Sequence, residues 1–504
     1  MTTDWIQKWA DYEPQKIAIR EADTERQLSY TEFNQKAGSL TSGLQQLGLQ
    51  KGDRVAVLAE FCVEYTLLFS VAQKMGIILV PLNYRLSAAE LDYILSNAQA
   101  KIIFSDFAFL DKLKGQSEYE NIEHKYLLTD IIHLAELGQN KDYQEVSIEE
   151  KDPLFILYTS GTTGFPKGAI YTHEMLFWNA INTSLRLDLN GQDHTLVCTP
   201  PFHTGGWNVL LTPLFFLGGT VTLLPQFNAD RVLQIIEEDQ ISNYFGVPTM
   251  LKMMGESEGF EKVKFPRLRY CVTGGEAMPI PLIEKWAEKG VPIRQGYGMT
   301  EAGPNLMSLH QRDGIRKKGS IGTPNFYVET RLVDEKGVDV AQGEIGEFLI
   351  KGKIVTPGYW QNEEATEKAF YGEWFRTGDL LRQDEEGYFY VVDRIKHMYI
   401  SGGENVYPVE VEQSLRTHTA IRDVAIVGVP DERWGETGMA FIVKEEVTLN
   451  ENEIEIFLKE RLAKYKHPKH FVFLEELPKG DTGKIDRKAI KVLANEELSP
   501  KDEV

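Results

Sequence analysis

Cysteine is nearly absent from this chain: Cys62, Cys198 and Cys271 are the only three in 504 residues. They are widely separated and flanked by apolar residues, so they read as reduced core thiols. Their odd number argues against a disulfide framework, and no paired Cys/His spacing offers a zinc site. Excess positive charge is lacking too. Lys and Arg number 54 against 75 Asp and Glu, a net charge of −21, which disfavours a general binder of nucleic acid or anionic membrane. The opening MTTDWIQKWADYEP contains acidic residues and no long apolar run, so neither a secretory signal nor a transmembrane helix is expected there. A cytoplasmic chain follows from that reading, with the terminal KDEV as a solvated tail rather than a retention signal. No internal repeat or low-complexity segment is evident. With 42% hydrophobic residues the composition is that of an ordinary globular protein. Its length calls for two or three packed units.

What the chain does have is a glycine- and hydroxyl-rich run, TSGTTGFPKG, from Thr159 to Gly168. Gly161, Gly164 and Gly168 let the backbone turn tightly and point N–H groups at an anion. Thr159, Ser160, Thr162 and Thr163 add hydroxyl donors, and Lys167 adds a mobile positive charge. Such a loop is built to hold phosphate. LFILY before it and AIYT after it read as strands. A Walker A loop instead places its Lys-Ser/Thr pair at the start of a helix and spaces its glycines more widely, so an ordinary P-loop NTPase is disfavoured.

From Ile170 to Gly298 strand-like and helical blocks alternate: TVTLLPQF, ADRVLQIIEEDQ, ISNYFGVP, TMLKMMGE, LRYCVTGG and PIPLIEKWAEKG. That alternation predicts a parallel sheet with its ligand at the carboxyl ends of the strands. TGGE (Thr273 to Glu276) and QGYGMTE (Gln295 to Glu301) both follow strand-like runs and belong at that edge. Between about Asn325 and Arg394 the turns DEKG and DEEG signal hairpins and a small β-barrel-like piece. After Asp393 the pattern is that of a compact α+β unit, including a helix with Ile454, Phe457, Leu458 and Leu462 on one face.

Five motifs occur in order: the loop at Thr159, QGYGMTE, TGD (Thr377 to Asp379), DRIKHMYISGGENVYP (Asp393 to Pro408) and PKGDTGKIDRKAI (Pro478 to Ile490). Together they resemble the adenylate-forming superfamily of acyl-CoA synthetases, luciferases and peptide-synthetase adenylation domains, over essentially the whole chain. The resemblance implies an α/β fold. A large amino-terminal domain (1–395), of doubly wound sheets plus a small β-barrel, would carry a small mobile α+β carboxyl-terminal domain (396–504).

The resemblance also implies residue roles. Thr159, Ser160, Gly161, Thr162, Thr163, Gly164 and Lys167 would hold the phosphates of ATP. Glu301, assisted by Thr300 and with Thr163 as a further ligand, would hold Mg²⁺. Tyr297 would stack on adenine within Gln295, Gly296, Gly298 and Met299, with Gly274, Gly275 and Glu276 as the adenine-side wall. Asp379 would accept the ribose hydroxyls beside Arg394. Lys484 would stabilise charge during adenylation when the small domain is docked. Lys396 would be the hinge about which Gly402, Gly403 and Glu404 replace Lys484 and open a passage for CoA. Asp481 and Asp486 would hold or cap the lysine loop. Lys466 and Lys469 are candidate contacts for CoA phosphates, with a solvated basic face as the alternative.

Peptide-synthetase domains carry Phe-Asp where this chain has Phe202-His203 in PPFHTGGW, which disfavours amino acids. His203 resembles the gating imidazole of acyl- and aryl-CoA ligases. Trp207, Phe245, Val247, Ala302 and Gly303 line the acid pocket or belong to the core. The resulting expectation is an AMP-forming acyl-CoA synthetase using ATP, Mg²⁺ and CoA on a fatty acid. An aryl or polycyclic acid is the alternative substrate, and an adenylate-binding protein without catalysis is the alternative of another class. Homodimerisation and peripheral membrane contact stay open; nucleic acid is not an expected partner.

Overall fold

The computed structural model describes residues 3–139, 141–159, 166–401, 404–446, 448–459, 461–480 and 484–498. The chain divides into two compact units, Met1–Thr330 with Ile350–Phe375, and Arg331–Leu349 with Arg376–Val504.

In the first unit the alternation read after Ile170 becomes strands Thr220–Leu223, Asn243–Phe245, Tyr270–Thr273 and Ile293–Tyr297, separated by helices Ala229–Glu238, Pro248–Glu256 and Ile280–Glu288. The strand His194–Val197 inserts between the first two, and all of these run parallel inside a nine-stranded sheet. Both faces of such a sheet must be covered, which is why Tyr270–Thr273 is buried along its whole length. The covering helices present one apolar stripe each: Ala229–Glu238 buries Val232, Leu233, Ile235 and Ile236 and is capped by the Asn228 side chain.

A second, six-stranded sheet contains Arg54–Leu58, Ile78–Pro81, Ile102–Ser105, His124–Leu127 and Pro153–Thr159 in parallel, closed by Lys167–Thr172 running antiparallel to Pro153–Thr159. Helix Val63–Met75 is buried on every side. Trp207 is fully buried too, with Phe61, Tyr65, Phe69 and Phe155 rings centred 4.8, 5.3, 5.7 and 5.4 Å away. Its indole N–H donates to the Pro201 carbonyl at 2.7 Å. Trp207 therefore belongs to the core. Cys198 and Cys271 are also core groups; burial pushes the Cys198 thiol up to about 12 and Cys271 higher still, so neither is a nucleophile.

The hairpins expected between Asn325 and Arg394 are strands of one five-stranded sheet. In the second unit the long antiparallel pair Ile421–Asp431 and Gly435–Lys444 is extended by His470–Leu474, parallel to the latter, and by Tyr399–Ser401, whose Ser401 pairs with Gly435 at the start of the same strand. Helices Pro408–Leu415, Glu451–Lys459 and Arg487–Leu498 complete it.

One ion pair fixes the last helix. Glu412 is buried, accepts from the Ile426 N–H at 2.8 Å and pairs with Arg487 at 2.8 Å, while Arg487 also donates to the Ile426 carbonyl at 2.8 Å. Removing the guanidinium leaves a buried carboxylate without its cation. Arg487→Met is expected to destabilise this unit by roughly 3 kcal/mol, the scale for breaking a buried pair. Urea unfolding followed by far-ultraviolet circular dichroism checks it; an unchanged midpoint refutes this role.

Candidate active site

The glycine-rich run closes a β hairpin. Thr159 stands directly opposite Lys167 in the pair Pro153–Thr159 and Lys167–Thr172, so the loop connects strand to strand rather than strand to helix. This is the local topology that separates it from a Walker A loop. Ser160, Gly161, Thr162, Thr163 and Gly164 lie outside the described residues.

QGYGMTE leaves the carboxyl end of strand Ile293–Tyr297. Gln295 is buried and used by the protein itself: its Oε1 accepts from the Met278 N–H at 3.1 Å and its Nε2 donates to the Ser320 carbonyl at 3.4 Å. Gln295 thus holds the chain two residues beyond TGGE, a segment in which Gly274 is half-buried and Gly275 and Glu276 are exposed. Tyr297 is half-buried at the strand end, opposite Met307, and its carbonyl accepts from Leu306. Gly296 precedes it in the same strand. At Gly298 a side chain has no room, since a Cβ would come within 2.2 Å of the Pro304 carbonyl. The chain then turns at Met299, whose N–H donates to Gly303, into the short 3₁₀ turn Thr300–Ala302.

Glu301 in that turn is buried, and the Tyr359 hydroxyl donates to its Oε1 at 2.9 Å. The Lys167 ammonium lies 5.3 Å from the centre of the same tyrosine ring, within the range of a cation–π contact. Burial, then the neighbouring Glu301, pushes the Tyr359 phenol far above its ordinary value, so it stays a protonated donor. The backbone around Tyr359 is held from several sides. Trp360 N–H donates to Gly168, Ile170 N–H to Gly358 and Thr356 N–H to the Glu301 carbonyl, at 2.7, 3.1 and 2.7 Å. Gly358 has φ +146°, and a Cβ there would meet Thr366 at 2.5 Å. Sequence reasoning missed Tyr359; the signal available was TPGYW, a glycine–aromatic turn outside the five motifs.

His203 precedes helix Thr204–Asn208, half-buried, with its ring 4.5 Å from Phe202. An aromatic file continues outward, Tyr84 at 5.1 Å from Phe202 and Phe109 stacked at 4.7 Å on Tyr84. Phe245 and Val247 are half-buried; Ala302 and Gly303 are buried. A network of buried amides and hydroxyls joins the His203 helix to the segment after Glu301. Asn208 Nδ2 donates to Thr204 at 3.1 Å, and Thr212 donates to Asn208 Oδ1 at 2.9 Å. Asn179 donates to the Asn208 carbonyl at 2.7 Å, and Asn305 to Thr183 at 2.8 Å and the Asn208 carbonyl at 3.4 Å.

In the second unit Asp379 and Arg394 are cross-strand partners, with Arg394 Nε 2.8 Å from Asp379 Oδ1. Asp379 is buried and Arg394 exposed. Asp393, also buried, accepts from the Val409 N–H at 3.0 Å and so holds the start of helix Pro408–Leu415. Lys396 has an exposed surface but a partly desolvated ammonium. Desolvation, then Arg394 and Lys488, pull its pKa down against the attraction of Asp379. Gly402 and Gly403 lie outside the described residues, between the paired strands Tyr399–Ser401 and Glu404–Val406, and Glu404 is exposed. Lys466 and Lys469 are each paired with a carboxylate: Glu410 at 2.6 Å and Asp431 at 2.5 Å. Lys484 is exposed; its carbonyl accepts from Gly480, and Lys479 bridges to Ile485 just beyond it. Asp486 caps helix Arg487–Leu498 through the N–H groups of Lys488 and Ala489, whereas Asp481 is not among the described residues. No group of three or more His, Cys, Asp or Glu suited to a metal occurs among the described residues.

The amide network is open to a direct test. Asn208→Leu leaves the Thr204 and Thr212 hydroxyls without their buried partner, and a loss of about 2 kcal/mol in unfolding free energy is expected, since each unsatisfied buried group costs about 1–3 kcal/mol. Chemical denaturation of the variant measures it, and wild-type stability would exclude the network as a packing constraint.

Two family models match the chain: AMP-binding enzyme over residues 6–360 and AMP-binding enzyme C-terminal domain over residues 410–484. The chain is 36% identical over 501 residues to the long-chain-fatty-acid–CoA ligase FadD13 of Mycobacterium tuberculosis, covering 98% of each. It is 35% identical over 483 residues to a feruloyl-CoA synthase of an Amycolatopsis species, covering 95% of this chain and 96% of the relative. Among solved structures it resembles the O-succinylbenzoate coenzyme A synthetase MenE of Bacillus subtilis in complex with ATP and magnesium ion, with a TM-score of 0.86 and 30% identity over 97% of this chain and 99% of that one. With both of its domain models matched and relatives aligned along nearly its whole length, this chain belongs to the AMP-binding enzymes, the adenylate-forming acyl-CoA synthetase family.

Proposed function

We propose that this chain is an AMP-forming acyl-CoA ligase, acting in the cytoplasm, that converts a carboxylic acid, ATP and CoA into acyl-CoA, AMP and pyrophosphate. The observation that carries this reading is that a cation and a carboxylate meet one residue, Lys167 at the Tyr359 ring and Glu301 at its hydroxyl, with Lys167 near the end of the glycine-rich run. The same kind of chemistry is named in relatives called long-chain-fatty-acid–CoA ligase, feruloyl-CoA synthase and 2-succinylbenzoate–CoA ligase.

In the first half-reaction a carboxylate oxygen attacks the α-phosphorus of ATP and the bond to pyrophosphate breaks. Both reactants are anions, so catalysis consists of cations placed where charge accumulates. Lys167 meets the departing pyrophosphate, and Lys484 meets the attacking carboxylate and α-phosphate. Tyr297 lies against adenine, and Asp379, steadied by Arg394, takes the ribose hydroxyls. In the second half-reaction the CoA sulfur attacks the acyl carbon and the bond to AMP breaks. Lys396 serves there as the hinge between a 1–395 and a 396–504 domain, with Gly402, Gly403 and Glu404 flanking the pantetheine arm.

Magnesium fits the donor set. Glu301 is a hard carboxylate that is buried but held by a neutral phenol, and no multi-ligand cage surrounds it among the described residues. Mg²⁺ is typically bound in this way, by one or two protein carboxylates with the remaining positions left to phosphate oxygens and water. Thr300 and Thr163 are the hydroxyls proposed to assist. Bound there, the ion would neutralise charge on the triphosphate.

A fatty acid is the first choice of substrate. The file His203, Phe202, Tyr84, Phe109 favours an aryl acid as the second reading. Octanoate, palmitate, benzoate and leucine in an ATP–pyrophosphate exchange assay separate them. Leucine is expected to be poorest by about a hundredfold or more, because no carboxylate stands beside Phe202 and an uncompensated buried ammonium costs several kcal/mol. Leucine ahead of the other three would overturn the acyl-CoA reading, and CoA-independent AMP release would favour another acceptor.

The role of Lys484 is tested by separating the half-reactions. Lys484→Ala is expected to slow adenylation by ~10²-fold or more while synthetic acyl-adenylate still reacts with CoA. Equal losses in pyrophosphate exchange and in thioester formation would rule out a role confined to the first step.

A further inference from the structure

We infer that Tyr359 is a positioning residue that sets the orientation of Glu301 for its metal and seats Lys167 beside it, coupling the metal-binding carboxylate to the phosphate-binding hairpin. This rests on the proposed function, in that Glu301 is taken as a ligand of magnesium.

The geometry is specific to one side chain. The Tyr359 hydroxyl donates to one oxygen of Glu301 at 2.9 Å, and the Lys167 ammonium sits 5.3 Å from the ring centre. Neither contact depends on a mobile tether. Tyr359 forms an antiparallel bridge with Ala169, its own N–H donates to Thr366 Oγ1 at 2.9 Å, and its neighbours bond to Gly168, Ile170 and the Glu301 backbone. The Thr356 hydroxyl adds a bond to the Ile170 carbonyl at 2.7 Å. The hydroxyl therefore arrives at Glu301 from a backbone already registered against the Lys167 strand.

The chemistry of the partner matters as much as its place. A lysine or arginine at this position would neutralise Glu301 and compete with a metal for it. A phenol supplies one directional hydrogen bond and no charge, so Tyr359 orients one carboxylate oxygen without itself neutralising the group. Partners of this kind behind a metal ligand typically contribute about 10–100-fold to metal affinity or activity. The ring also gives Lys167 a weakly attractive surface.

The test uses the full-length protein with ATP and no acid, so that binding is read apart from turnover. ATP is titrated calorimetrically at a series of Mg²⁺ concentrations into wild type, Tyr359→Phe, Glu301→Gln and the double variant, with the melting temperature of each recorded. Tyr359→Phe is expected to raise the Mg²⁺ concentration needed for half-maximal tightening of ATP by about tenfold. Its KM for the acid should be unchanged in steady-state assays, and the double variant should be no worse than Glu301→Gln alone. A shift in Glu301→Gln without one in Tyr359→Phe overturns the positioning role and leaves the reading of Glu301 intact. Full additivity in the double variant overturns it too. No shift in Glu301→Gln overturns the reading of Glu301 itself. A collapse in the melting temperature of Tyr359→Phe assigns the residue to the fold and likewise overturns the inference.

Discussion

The backbone hydrogen bonds that fasten Thr356–Trp360 to Gly168, Ile170 and Glu301 are the constraint on which the arrangement of Lys167, Glu301 and Tyr359 depends. They join three stretches far apart in sequence: the strand leaving the glycine-rich loop, the turn after the parallel sheet, and a segment more than fifty residues further on. Each stretch brings one chemical group, a cation, a carboxylate and a phenol. None of the three could be placed by local structure alone, because Lys167 begins a strand, Glu301 sits in a single 3₁₀ turn and Tyr359 lies in irregular backbone. Irregular segments that carry function need such external fixing, since their own backbone groups have no ladder or helix to satisfy them.

How much of this could be read from the chain depends on the range of the interaction. The β-α alternation was legible because apolar period and turn chemistry are local; every block named between Thr220 and Gly290 contains a strand or helix of the expected kind. The position of QGYGMTE at the carboxyl end of a parallel strand follows from the same alternation. Pairings across the chain were not legible. Lys466 and Lys469 look like free cations in KYKHPKH, but Glu410 and Asp431 come to them from distant helix and strand positions. Trp207, five residues after Phe202, suits a pocket wall by composition and is instead the centre of an aromatic cluster gathered from three other elements. The amides of Asn179, Asn208 and Asn305 carry no motif at all. Their significance comes from burial, which only the fold reveals.

The electrostatics show the same division between global and local. A chain with net charge −21 repels its anionic substrates at long range, but screening confines that repulsion to about 10 Å at ordinary ionic strength. Within a site the near groups decide. Lys167 faces an aromatic ring, and Arg394 and Lys396 stand together in the second unit with Asp379 as the neighbouring carboxylate. Arg394 is answered by Asp379 at 2.8 Å, as Lys466 and Lys469 are by Glu410 and Asp431, whereas the Lys396 ammonium, partly desolvated and with Arg394 and Lys488 as its repelling neighbours, has its charged form disfavoured.

The His203 helix and the Glu301 segment are linked through the interior. His203 opens the helix that contains Thr204 and Asn208, and Glu301 begins the segment that contains Gly303 and Asn305. Asn305 reaches the Asn208 carbonyl, while Asn179 reaches the same carbonyl from helix His173–Leu187, which follows the Lys167 strand. One carbonyl is thus shared by elements leading back to His203, Glu301 and Lys167. In a dry interior the amides cannot exchange these partners for water without a penalty of about 1–3 kcal/mol per group, so the three elements hold a single mutual arrangement. Differences in ligand shape would then have to be met by side chains around this frame rather than by movement of the frame itself. Such a division between a fixed polar frame and a variable lining is consistent with relatives named for acids as unlike as fatty and feruloyl chains.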